Sequence, residues 1–195
     1  MIQYPVKIIF KLFTLATRIS VVDAAGTPIF FIRQKMFRLR EYIQIFRDSS
    51  EKELLFEIRA KNVIDFSASY SFTAVDGSDW GSVRRKGMKS LWRAHYQIMN
   101  DKQIDMTLSE ENPWKKVLET VLGQIPLIGL LAIYLLNPSY IIARPSGEKI
   151  LRIRKKASFL ERSFQIEKLS DVPPDDELRA LLSIVMMALL ERRRG

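Results

Sequence analysis

The chain has no cysteine, a single histidine and only eight glycines among 195 residues. Without cysteine there is no disulfide framework and no thiolate zinc site. One histidine, His95, excludes metal ligation by paired imidazoles, and no G-x-S-x-G elbow is present to make it a hydrolase base. The glycines are scattered, so there is no glycine-rich phosphate loop, and no calcium loop of the D-x-[DN]-x-[DN]-G kind occurs. Acidic charge is also short: 22 Asp and Glu face 31 Lys and Arg, for a net charge of +9. These absences predict a protein that is not an enzyme and carries no metal or cofactor. The positive surplus favours an anionic partner such as a lipid headgroup, a phosphate or a nucleic acid.

What is present suits one globular domain. Hydrophobic residues make up 47% and charged residues 27%, enough to bury a core and too apolar for a disordered chain. The surplus charge is uneven: residues 1–60 hold 10 Lys/Arg against 6 Asp/Glu, residues 61–112 balance at 7 each, and residues 113–195 hold 14 against 9. The opening MIQYPVKIIFKLFTLA is not read as a secretory signal, because Lys7 and Lys11 interrupt its apolar run. A first strand is the expectation there.

One pattern recurs four times, at 32–45, 58–72, 83–98 and 153–166. Each copy opens on a β-branched residue and R-x-K, crosses a short connecting stretch, and closes on an aromatic residue two before an Ile or Phe, or on Tyr42 two before Gln44. In extended chain, residues two apart share a face, so Arg33 with Lys35, Arg59 with Lys61, Arg84 with Lys86 and Arg154 with Lys156 point the same way. Each unit reads as strand, loop, strand. Turn signals separate the units at Asp23 to Gly26, Asp48-Ser-Ser, Asp76-Gly77, Asn100-Asp101 and Pro145 to Gly147. Such spacing predicts an all-β sandwich or barrel.

Two apolar stretches stand apart. From Thr120 to Ala143 there is no charge, but Pro126 and Pro138 leave only Leu127 to Asn137 uninterrupted. At ~1.5 Å per residue that is about half of a ~30 Å hydrocarbon core. A single crossing would also strand the fourth repeat on the wrong side of the bilayer, so the segment is expected to be buried or interfacial. The second stretch, Leu178 to Leu190, carries one charge, Arg179, and one hydroxyl, Ser183. Asp175, Asp176 and Glu177 precede it and Arg192 to Arg194 follow, the polarity a helix macrodipole favours. It is too short to span and too apolar for a surface, which leaves a helix surrounded by protein, as inside a closed β-barrel.

Three segments then carry a resemblance across the whole chain: D-x-x-G-x-P-I-F-x-I-R-x-K from Asp23 to Lys35, G-S-V-R-R-K-x-x-x-S-L-W from Gly81 to Trp92, and the terminal MMALLERRRG. The chain resembles the tubby-like superfamily, which includes the phospholipid scramblases, and within it most closely the LURP-one-related type. That resemblance implies a mainly β fold, a twelve-stranded barrel around a central hydrophobic C-terminal helix. One domain, 1–195, is expected, with an extra apolar helical insert at 113–138 that departs from the family pattern. Tubby relatives bind phosphoinositide through basic residues on the barrel surface, and scramblases move lipid with calcium; with no calcium loop here that activity is not carried over, and a lipid scramblase-like membrane protein stays only as a further alternative that the resemblance implies.

The residues expected to bind lipid or another anion are Arg84, Arg85, Lys86 and Lys89, with Arg152, Arg154, Lys155 and Lys156. Expected membrane contacts are Trp114, Lys115 and Lys116, which flank the insert as interfacial anchors do, and Leu127, Ile128, Leu130 and Leu131 within it. The expected partner is an anionic phospholipid or membrane surface, with the protein cytoplasmic and peripheral on the membrane. A protein partner docked on the insert is the alternative; nucleic acid is not expected, since no recognised binding module is present. His95, within a repeat's closing strand, is read as structural. Asp76 to Asp79 is read as a hairpin turn. Glu110-Glu111 and Asp175 to Glu177 are read as helix caps or first turns.

Overall fold

Alternation of apolar and polar side chains shapes the first element: Val6, Ile8 and Phe10 are buried while Lys7 between them is exposed. The same period of two runs through the chain and closes it into a barrel. The computed structural model describes residues 2–11, 16–35, 42–62, 68–86, 95–111, 139–156 and 162–192. Its strands are β1 (Val6–Lys11), β2 (Ala16–Val22), β3 (Pro28–Lys35), β4 (Tyr42–Phe46), β5 (Leu54–Asn62), β6 (Ser69–Ala74), β7 (Asp79–Arg85), β8 (His95–Asn100), β9 (Gln103–Glu110), β10 (Ser139–Ala143), β11 (Lys149–Lys156) and β12 (Arg162–Lys168), followed by helix α1 (Pro174–Arg192). Every strand pairs antiparallel with its neighbours in sequence, and β1 pairs with β12, Val6 opposite Ile166. Closure leaves no strand edge to aggregate.

The four repeats form β3–β4, β5–β6, β7–β8 and β11–β12, as expected. The opening strand and the expected turns are also present. Carboxylates build the turns: Asp23 accepts the N–H groups of Ala25 and Thr27 at 2.9 and 2.8 Å, Asp48 that of Ser50 at 2.8 Å, and Asp76 that of Ser78 at 2.9 Å. Asp and Asn favour such positions because the side chain can mimic a backbone acceptor. Glu110 is the last residue of β9 and Glu111 follows it to meet Arg152, so this pair caps a strand and not a helix. The insert expected at 113–138 lies outside the described residues; the last five residues of the charge-free run, Ser139 to Ala143, are β10.

The barrel interior explains the helix. Twelve strands ~4.8 Å apart and tilted by ~40° enclose a cylinder of roughly 12 Å radius, too wide for wall side chains alone to fill. A helix, ~10–12 Å across with its side chains, occupies that space. Ala180 through Leu189 are each no more than 1% exposed, so the apolar C-terminal stretch is a folding core. Among the described residues no helix is long and apolar enough to cross a membrane. Charged and polar residues occupy the outer face of the strands, the reverse of a membrane-spanning barrel, whose outer band is apolar.

An apolar helix in an apolar cylinder has little to set its depth or rotation. One ion cluster supplies both. Arg179, 5% exposed, contacts Asp105 and Asp176 at 2.8 Å each and donates to the Trp80 carbonyl at 3.0 Å. Arg144 completes the square, 2.8 Å from Asp105 and 2.5 Å from Asp176. Burial pushes the Asp176 carboxyl up, but the guanidinium groups of Arg144 and Arg179 overcome this and hold it below its ordinary value. Gly81 leaves room for Arg179: with φ at +94°, a Cβ there would stand 2.2 Å from the Met99 carbonyl oxygen and 3.1 Å from the Arg179 side chain. Ser183, buried within the helix, donates to the Arg179 carbonyl at 2.8 Å and is thereby satisfied.

Candidate functional site

In an up-and-down barrel all odd-numbered strands run the same way. Their C-terminal ends therefore share one end of the barrel. Each odd strand except β9 carries a Lys or Arg within its last three residues: Lys11, Arg33 with Lys35, Lys61, Arg84 with Arg85, and Arg154 to Lys156. The R-x-K repeats are thus brought to a common end by strand direction, and alternation turns their described side chains outward. Arg33, Arg59, Lys61, Arg84, Lys86, Arg154 and Lys156 are all exposed.

The predicted anion-binding residues divide on closer placement. Arg84 and Lys86 face outward, whereas Arg85 pairs opposite the buried Tyr96 and shares the inner register. Arg154 and Lys156 likewise face outward, and Lys155 lies opposite Phe164 on the inner side. The β7 and β11 clusters are not on neighbouring strands, because β8, β9 and β10 stand between them. They share an end and do not form a continuous stripe. Lys89, Trp114, Lys115, Lys116, Leu127, Ile128, Leu130 and Leu131 lie outside the described residues.

Neutralisation is partial. Arg152 sits 2.9 Å from Glu111 and 3.9 Å from Glu167, and Arg154 is 3.4 Å from Glu167. Burial raises the Glu111 carboxyl, and the hydrogen bonds from Arg152 and Ser139, with the charges of Arg152 and Lys149, together outweigh it and leave the group below its usual value. Arg33 reaches Glu51 at 3.1 Å, and Arg59 reaches Glu57 at 2.8 Å with its guanidinium 5.3 Å from the Tyr42 ring. The Tyr42 hydroxyl donates to Glu57, and this bond is the main reason that carboxyl lies low. Arg84 donates to the Gln97 side-chain oxygen at 2.7 Å, a neutral partner that leaves its charge uncompensated. Lys61, Lys86 and Lys156 form no ion pair among the described residues. Exposed pairs of this kind are worth only ~0–1 kcal/mol, so even the paired arginines remain open to a competing anion.

A groove of about 580 Å³ opens on the outer wall, lined by Lys61, Ser69, Ser82, Arg84, Lys102 and Met99, with Asp79 and Asp101 at its side. Ser69 is the cross-strand partner of Arg84, so a hydroxyl lies beside the guanidinium. Lys61, Ser69, Ser82 and Lys102 were not among the predicted site residues. Lys61 was within reach of the sequence, since it closes the R-x-K of the second repeat; the serines carry no such signal. His95 begins β8, and its carbonyl accepts the Lys86 N–H at 3.0 Å. Among the described residues no group of His, Asp or Glu is placed to hold a metal ion.

The family model described as LURP-one-related matches residues 6–123. No curated protein and no solved structure matches the chain. The match covers β1 to β9; the last three strands and α1, which close and fill the same barrel, follow it in sequence. With more than half of its length matched and the twelve-stranded, helix-filled barrel in place, the chain belongs to the LURP-one-related family.

Proposed function

We propose that this protein is a non-enzymatic tubby-like module that binds anionic membrane lipid through the basic side chains of its barrel, working from the cytoplasmic surface of the membrane. The observation that carries this reading is the collection of outward R-x-K side chains at one barrel end, with Lys61, Lys86 and Lys156 unpaired among the described residues. Cations close to an anionic leaflet contribute ~1 kcal/mol each. Several acting together give useful affinity without a deep pocket, which suits a shallow, polar groove such as that between Lys61 and Arg84. Retention at the surface would be reversible and would weaken with salt, because exposed charge is screened over ~8 Å at physiological ionic strength.

Flotation of the purified full chain with neutral and anionic liposomes, at low and high salt, tests this. Co-flotation with anionic vesicles alone, reversed by salt, is the expected result. Salt-resistant flotation assigns binding to apolar insertion. Absence from every vesicle fraction overturns lipid binding and leaves a barrel that serves a protein partner.

A further inference from the structure

The two ends of the barrel differ in charge. At the end where odd strands finish, Lys and Arg dominate the described residues, and the acids at the end of β9 are Glu110 and, just after it, Glu111. At the other end the turns and the first turn of α1 hold the acids, among them Asp23, Asp48, Asp76, Asp101 and Asp175. Helix α1 starts at the acidic end, where Lys168 meets Glu177 at 3.2 Å, and finishes at Arg192 at the basic end.

We propose that the barrel docks upright on an anionic bilayer, its basic end against the headgroups and its acidic turns pointing away. This rests on the lipid-binding reading and adds an orientation to it. The decisive quantity is the ratio of barrel height to screening length. Eight-residue strands at ~3.3 Å per residue, tilted by ~40°, stand roughly 20 Å tall. That is more than twice the ~8 Å Debye length. An upright barrel brings its cations within one screening length of the lipid and leaves the acidic turns outside it. A barrel on its side brings both ends to the surface, and repulsion of the aspartates offsets attraction of the lysines. The outer wall around the groove shows a weaker form of the same gradient, with Lys61 and Arg84 toward one end and Asp79 and Asp101, beside Lys102, toward the other.

The absence of native cysteine makes a direct test simple. Ser69→Cys, at the basic end of β6, and Ser49→Cys, in the turn between β4 and β5, are each labelled with an environment-sensitive fluorophore in the full-length protein. Labelled protein is mixed with phosphatidylcholine vesicles carrying phosphatidylserine and brominated lipid. Strong quenching at position 69 with none at 49 is expected. In parallel, the triple variant Lys61→Glu, Lys86→Glu, Lys156→Glu is expected to lose at least about a hundredfold in vesicle affinity. The matched variant Arg47→Glu, Lys52→Glu, Lys149→Glu, at the acidic end and outside the groove, is expected to stay within about threefold. Equal quenching at both sites, or equal losses from both triples, overturns the orientation while lipid binding stands. A wild-type chain that does not bind these vesicles overturns both.

Discussion

Arg179 and Lys86 are both cations near an end of the same barrel, and they serve opposite purposes. At the acidic end Arg179 is buried, touches two carboxylates and a carbonyl, and sets where the central helix sits. At the basic end Lys86 is exposed, with no ion pair among the described residues. The first kind of charge is fully used within the fold; the second contributes nothing to folding and adds mutual repulsion with its neighbours. The acidic end therefore holds the structure together, and at the basic end Lys86 stays exposed, which under the proposed reading makes it available to an anion.

The widest gap between the ends comes from Arg179→Ala. Removing one member of a buried cluster leaves Asp105 and Asp176 uncompensated, an effect of ~3–5 kcal/mol. Urea denaturation is expected to show that loss, while Lys86→Ala stays within ~0.5 kcal/mol of the wild type. A similar effect at both residues would erase the distinction. Acid titration probes the same cluster. The folded Asp176 carboxyl lies below its unfolded value of ~3.9, so its contribution is present above that pH and is lost as pH falls through the lower, folded value. Denaturation midpoints measured from neutral pH downward are expected to fall less steeply in this acid range for Asp176→Asn, which starts from a lower stability.

At the other end, replacing Lys61, Lys86 and Lys156 together by Ala is expected to cost about 3 kcal/mol in vesicle affinity at ~1 kcal/mol per cation, with the denaturation curve unchanged. Sedimentation with anionic vesicles, run beside the urea experiment, reads both properties. Gly81→Ala sharpens the contrast from the folding side. Its positive φ costs ~1–3 kcal/mol in an L-residue, and the new methyl meets the Met99 carbonyl and crowds Arg179. Stability should fall while vesicle binding by the folded fraction is retained. The smallest effect is expected from Asp76→Ala, which removes one turn acceptor at the exposed tip between β6 and β7. A small drop in melting temperature, with no change in lipid affinity, is the predicted outcome.

Much of this was legible in the chain. Period-two alternation marked the strands, Asp and Gly marked the turns, and the R-x-K spacing placed its two cations on one face, as Arg59 with Lys61 and Arg154 with Lys156 confirm. An all-apolar stretch too short to span a bilayer indicated a helix inside protein. Other features were not legible. Glu110 and Glu111 read as a helix cap or first turn because an acidic pair has no distance information, and only the fold showed Glu110 ending β9 and Glu111 beside Arg152. The charge count by sequence block stands, but it could not show that among the described residues Lys and Arg gather where the odd strands finish.

The sequence by itself did not mark β9 and β10; it determined the opening strand and the strands of the four repeats, the alternation of apolar and polar faces along them, and that Leu178 to Leu190 must be enclosed. These depend on neighbours two to four residues apart, and local periodicity carries them. That the basic strand ends belong to one end of the barrel is a property of the tertiary structure. Antiparallel closure reverses direction at every turn, so residues dozens of positions apart fall together while their sequence neighbours are carried to the opposite end. The Arg179 cluster shows the same thing most directly, joining Asp105 across 74 positions by a contact that only the closed barrel makes.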